Sequence, residues 1–240
     1  MAKSRAPAGS GTTAVMRPPP GGLTTIPPPP PPPPAVTVAS LQHQVRDFVA
    51  EFTGDECFLA NPVKVAQAEI NIEAFADDIA PFYDFDGAFL AAIGIEARIG
   101  ARLIRSPQCP ALRLVRAFPT ATPARIRFDD PDRVIGPAQP FEISIASAGL
   151  RNVTILMIDP DGRVSDLSGY ATRFGTDIKV RMVVPLAGPR VLLVLDTVRP
   201  LQGTEILAPE RLGDFFSMVL DENLARDFDI RASMTFFVIQ

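Results

Sequence analysis

An α+β fold is predicted: a proline-rich disordered N-terminus, a small α/β unit, then a C-terminal antiparallel β-sandwich with one packed helix. Three observations carry it. Between residues 40 and 118, apolar residues recur first at helical spacing, then at strand spacing, then again at both. From about residue 137, short alternating runs follow at roughly ten-residue spacing with Pro and Gly between them. The 26 prolines crowd toward the N-terminus. The expected divisions are a linker over 1–39, the α/β unit over 40–118, an interdomain linker over 119–136 and the sandwich over 137–240.

The eight prolines Pro27–Pro34 lack amide donors and fix φ, so they form neither helix nor central strand. In polyproline II they make a semi-rigid spacer of roughly 25 Å. A spacer that begins at the first residue has nothing before it to space, so the chain is expected to be cut from a longer protein. No apolar run approaches the ~18–20 residues that span a bilayer, and Met1–Ala35 has no apolar signal core. The chain is then either cytoplasmic or a piece whose membrane segment lies upstream. A net charge of −4 argues against a general nucleic-acid binder.

In the α/β unit, Ser40 is the expected cap of a helix carrying Leu41, Val45, Phe48, Val49 and Phe52, with Gly54 ending it. "AEINIEAFA" alternates Ile70 and Ile72 against Glu69, Asn71 and Glu73, as a half-buried strand does. A second helix with Asp84 or Asp86 near its start carries Phe85, Phe89, Leu90 and Ile93. "ARIGARLIR" alternates again, and "QCPALRLVRAF" reads as a short last helix. A strand–helix–strand crossover is most simply parallel or split by a third strand.

Cys57 follows the first helix and Cys109 precedes the last. If both pack on one side of the sheet, a bridge would close a loop of about 53 residues and add about 4 kcal/mol in the loop-entropy model. It would also put the chain outside the cytoplasm. The alternative is two buried thiols. Two isolated thiols and the single His43 lack the ligand spacing of a zinc site, so no metal and no cofactor are expected.

Charge is segregated. Residues 65–97 hold Glu69, Glu73, Asp77, Asp78, Asp84, Asp86 and Glu96 with no base; residues 97–127 hold Arg98, Arg102, Arg105, Arg113, Arg116, Arg125 and Arg127 with no acid. Side-by-side acidic and basic strands would pair across the sheet. The other reading is a patch at Arg98, Arg102, Arg105, Arg113 and Arg116 for an anionic partner.

In the sandwich, "FEISIA", "NVTILMI", "GRVSDL", "DIKVRMVV", "VLLVLDTV" and "SMTFFVIQ" read as strands. Pro209 fits the first turn of a helix whose Leu212, Phe215, Phe216, Val219, Leu220 and Leu224 form one stripe, expected to pack on the sandwich edge. Between two strands stands Asp159-Pro160-Asp161-Gly162. From Asp159 the sixth residue is Val164 and the twelfth Tyr170, which fails the EF-hand pattern. Pro160 presets φ, Asp159 bonds forward to amides and Gly162 accepts positive φ, so a structural turn is expected.

"VTILMIDPDGRVSDL", "IKVRMVVPLAGPRVLLVLDTVRPLQ" and "ASMTFFVIQ" together resemble an uncharacterised bacterial accessory β-domain, a domain of unknown function. The resemblance covers about Phe141–Gln240 and rests on Asp159, Asp161 and Gly162, then Pro185, Gly188 and Pro189, then Arg199, Pro200 and Leu201. That domain accompanies membrane-anchored Hanks-type Ser/Thr kinases, caspase-like proteins and envelope-associated proteins. The preceding unit with Cys57 and Cys109 looks like the extracytoplasmic region before it in some proteobacterial kinases. The loop "SGYATRFGT" departs from the family's usual loop, and neither a ligand role nor a catalytic residue is carried over.

The resemblance and the stalk together imply a non-catalytic extracytoplasmic sensing or protein-interaction module of a bacterial envelope or signalling protein, periplasmic, with a protein partner or cell-envelope ligand. It would meet the membrane only through a tether outside this sequence. The alternatives are a structural accessory subunit of an envelope or secretion assembly and a carboxylate-based hydrolase using Asp77, Asp78, Asp84 or Asp86. No G-x-S-x-G, P-loop, dinucleotide fingerprint or His-bearing metal motif is present.

Overall fold

The computed structural model of the chain describes residues 37–240, apart from residues 68, 119–123, 131, 147–151, 202–211 and 227–229. The proline run and Pro209 lie outside the described residues. The protein is α+β, with four helices and three sheets among the described residues.

Helix α1 (Val38–Glu51) starts two residues before the expected Ser40. Thr37 caps it instead: its hydroxyl accepts from Ser40 N at 3.2 Å while Ser40 Oγ donates to Thr37 O at 2.8 Å. The helix closes at Phe52, not Gly54, because Phe52 turns extended. Strand β1 (Phe58–Ala66) was not expected. Pro62 and Lys64 break its alternation, and a bulge lies between them; an edge strand tolerates both. It pairs antiparallel with β2 (Glu69–Ala76).

Helix α2 (Ala80–Ile93) links β2 to β3 (Arg98–Leu103), which runs parallel beside β2. It begins earlier than Asp84, because Asp78 Oδ1 accepts from the Ala80 amide at 3.1 Å and Pro81 sits in the first turn. A 3₁₀ turn (Ser106–Gln108) leads into α3 (Cys109–Ala117).

Period-2 alternation gives this small sheet two apolar faces. Ala60, Ile70, Ile72, Ala74 and Ala76 pack on Leu41 and Val45 of α1 and on Phe82, Phe85 and Phe89 of α2. Six phenylalanines join in that layer with neighbouring ring centroids 5.1–6.1 Å apart. Leu59 and Phe75 point the other way, into a second cluster with Leu112 and Leu114 of α3.

The rest of the chain builds two sheets. The strands are β4 (Arg125–Phe128), β5 (Val134–Ile135), β6 (Pro140–Ala146), β7 (Asn152–Ile158), β8 (Val164–Asp166), β9 (Ala171–Phe174), β10 (Asp177–Val183), β11 (Gly188–Thr197) and β12 (Ile230–Ile239), with α4 (Leu212–Arg226) before the last. One sheet has the order β4-β6-β10-β9 and the other β5-β12-β11-β7-β8. Two expectations are corrected. Strands β4 and β5 lie inside the 119–136 stretch read as linker, and β5 runs parallel to β12, so the five-stranded sheet is mixed.

The five-stranded sheet is buried on both faces. Ile155, Leu192, Val194, Phe237 and Ile239 meet Ile143, Ile145, Ile178 and Val180 of the four-stranded sheet. Leu156, Ile158, Leu193, Leu195 and Met234 face away from it, into the cluster that holds α3, Phe75 and the α4 residues Leu212, Phe215, Phe216 and Val219. Helix α4 therefore packs on a sheet face rather than on the sandwich edge. Leu220 of the expected stripe is exposed. One apolar cluster thus draws on both halves of the chain, and Val36–Gln240 is one compact unit.

Candidate ligand groove and disulfide junction

Cys57, just before β1, and Cys109, first residue of α3, are joined in a disulfide with Cα atoms 5.0 Å apart. Both are 6% exposed. Asp55 Oδ1 holds the Cys57 amide at 2.8 Å. The Asp77 carboxylate lies within 4.8 Å of both sulfurs and accepts from Ser106 Oγ at 2.6 Å. With each sulfur bonded to the other, neither is the thiolate that a metal requires.

Next to the bridge, Gln108 is fully buried. Its Nε2 donates to Ile158 O at 3.0 Å and Pro189 O at 3.3 Å, and its Oε1 accepts from Arg105 N at 2.9 Å. It therefore ties the start of α3 to the ends of β7 and β11. The Asp159–Gly162 turn reaches the same junction. Asp159 Oδ1 accepts from the amides of Asp161 and Arg163, each at 2.9 Å, and Gly162 N donates to Asp159 O at 3.0 Å. Gly162 has φ +80°, and a Cβ there would stand 2.6 Å from Pro107 O. Arg190 is buried beside this turn, donating to Pro189 O and Leu186 O. Burial pushes its guanidinium down from its ordinary value, and the carboxylates of Asp159 and Asp161 act against that shift.

The five candidate arginines lie on two elements, β3 and α3, and on the turn between them. Arg102 Nε donates to Glu73 Oε1 at 3.0 Å, the cross-sheet pairing that the charge segregation suggested. Arg113 stands 3.9 Å from Glu56 with both side chains exposed, a geometry of little energetic weight. Arg98, Arg105 and Arg116 are exposed. Sequence reasoning missed Arg133, which lay in the supposed linker. Its Nη1 donates to the same Glu73 Oε1 at 2.7 Å and to Thr235 Oγ1 at 2.8 Å. Its backbone is left-handed, φ +57°, and is held there by Asp130 O and Val238 N. Glu73 thus bridges the α/β sheet to the sandwich.

A groove of about 510 Å³ opens at one mouth of the sandwich, lined by Pro140, Met157, Ser165, Asp166, Leu167, Tyr170, Arg181, Met182, Val183 and Val184. That is within the range of small-ligand sites. It exists because the chain crosses between sheets here. Asp166 Oδ1 accepts from Ser168 N at 2.7 Å, and Leu167 N and Ser168 Oγ bond the main chain of Ile155 at 2.8 and 3.2 Å. The crossing carries Tyr170 to the rim, and β9 then covers β10 only as far as Val180 opposite Ala171. Beyond that point β10 continues to Val183 without β9 beside it. Tyr170 belongs to the loop to which no ligand role was carried, and exposed tyrosine in a polar loop gave no signal. A smaller pocket of about 180 Å³ lies by Phe128, Ile135 and Phe141.

The candidate acids do not gather at either pocket. Asp78 holds the start of α2, and Asp84 and Asp86 are exposed on that helix. No protein-family model matches the chain, and no curated protein matches it. The likeness to the accessory β-domain rests on its turn and strand motifs alone.

Proposed function

We propose that this chain is a non-catalytic extracytoplasmic interaction or sensing module of a bacterial envelope or signalling protein. The observation that carries the reading is the buried Cys57–Cys109 bridge. A structural disulfide of this kind persists in oxidising compartments and is rare in the cytoplasm. The proline-rich stalk and the resemblance to an appended β-domain agree with it. So does the engagement of the candidate acids in caps and solvent, where carboxylates favour helix starts. No described helix is long and apolar enough to cross a membrane.

The test is thiol accounting by alkylation and mass spectrometry on protein taken from its native source. Complete protection of Cys57 and Cys109 before reduction is expected. Free thiols at both positions would remove the extracytoplasmic assignment.

A further inference from the structure

The groove at the sandwich mouth has two walls, one from β6 and β10 and one from the end of β8. On one wall, Pro140 stands opposite Val183 and has no N–H to give. Val183 therefore directs its own N–H and C=O away from β6, by the alternation of antiparallel ladders. On that side β9 has already ended, opposite Val180. The neighbouring Val184 turns inward, its carbonyl accepting from Ala138 N at 3.2 Å. On the other wall, Leu167 N donates to Ile155 O at 2.8 Å and Asp159 N to Arg163 O at 3.0 Å. Those bonds bracket the pairs Leu156–Asp166 and Ile158–Val164. Asp166 consequently points its main-chain groups away from β7 and toward the groove it lines.

The side chains fit the same guest. Met157, Leu167, Met182 and Val184 form an apolar floor between the sheets. Tyr170 and Val183, which line the groove, are 65% and 53% exposed, and an open strand edge beside apolar surface favours pairing with another chain. Arg181 faces out over the groove, and no ion pair engages its guanidinium among the described residues. The carboxylate across the ladder from Arg181, Glu142, is bonded to Lys179, and Asp166 on the other wall is bonded to Ser168 N.

We propose that this groove binds an extended segment of a partner protein by strand addition along Val183, with an apolar residue inserted between the sheets and a carboxylate on Arg181. Backbone pairing supplies affinity, and alternate side chains supply selectivity. The proposal rests on the interaction-module reading and names its site and the chemistry of its partner.

The test is selection of a displayed library of random octapeptides on the full chain with its disulfide intact. The best peptide is then titrated into ¹⁵N-labelled protein. Selected sequences should alternate β-branched residues with Glu or Asp and exclude proline from their centre. Amide shifts should concentrate at 165–167, 170 and 181–184. Arg181→Gln should weaken binding about tenfold, and Val183→Pro, which removes only an outward N–H, should abolish it. Shifts at the exposed β3 edge instead, proline-rich or basic selectants, or no binding at about 1 mM peptide would each overturn the proposal. Any of these with Cys57 and Cys109 still oxidised in native protein removes the groove and leaves the compartment assignment standing.

Discussion

The two faces of the β7–β8 hairpin are treated oppositely. On the α side, Pro107 packs against Gly162, Gln108 makes three hydrogen bonds, and the disulfide anchors α3 a residue away. On the sandwich side, the same hairpin borders a groove lined by Val183, which lies past the end of β9, and by Arg181, whose guanidinium has no ion pair among the described residues. Most buried polar groups find a partner; Arg190 beside the turn bonds two carbonyls through its terminal nitrogens, and its buried Nε has no hydrogen bond among the described residues. The sealed face is a structural joint. The open mouth is where the proposed partner segment would sit without disturbing that joint.

Substitutions on the sealed face should cost stability in a graded way. Replacing Cys57 and Cys109 together with Ala frees a loop closed over a separation of 52 residues. About 4 kcal/mol should be lost in urea denaturation, with the slope changed by a looser denatured state. Gly162→Val combines strain at positive φ with a clash against the Pro107 carbonyl and should cost about 3 kcal/mol by the same measurement. A wild-type midpoint for that variant would break the joint as described. Gln108→Leu strips the Arg105 amide of its acceptor and the Ile158 carbonyl of a donor, while Pro189 O keeps Arg190, and should cost about 2 kcal/mol. Hydrogen exchange should quicken at the end of β7 and the start of β11, not at α1.

Within the turn, Asp159→Ala removes the acceptor of two amides and should cost about 1 kcal/mol. Asp161→Asn should stay within about 0.5 kcal/mol. Equal losses would mean that Asp161 has a role beyond the turn. On the open mouth, Arg181→Gln should leave the thermal midpoint within about 2 °C. A large stability loss there would make Arg181 a structural residue and erase the contrast between the two faces.

Local patterns were readable where one segment carries its own instructions. Phe85 and Phe89 of the α2 stripe, whose Leu90 proves exposed, the short helix α3, the alternation of β6 and β10, and the Asp-Pro-Asp-Gly turn each follow from chemistry within a few residues. Strand β1 was not readable, because Asn61-Pro62 and Lys64 hide an edge strand whose partner lies beyond a tight connection. Arg133 was not readable either. Its three-way contact with Glu73 and Thr235 joins residues 60 and 102 positions away, and nothing in "DDPDR" encodes that distance.

The sequence by itself determined the α+β class, the two cysteines suited to a bridge, and the turn at Asp159–Gly162, because local propensity and spacing suffice for those. Only the tertiary structure decided that the turn is a joint against Pro107, that one core runs through both halves, and that β9 stops short of Val183. Those outcomes depend on which strands meet and where their registers end. Register is set by packing between distant segments, and no single stretch of chain contains it.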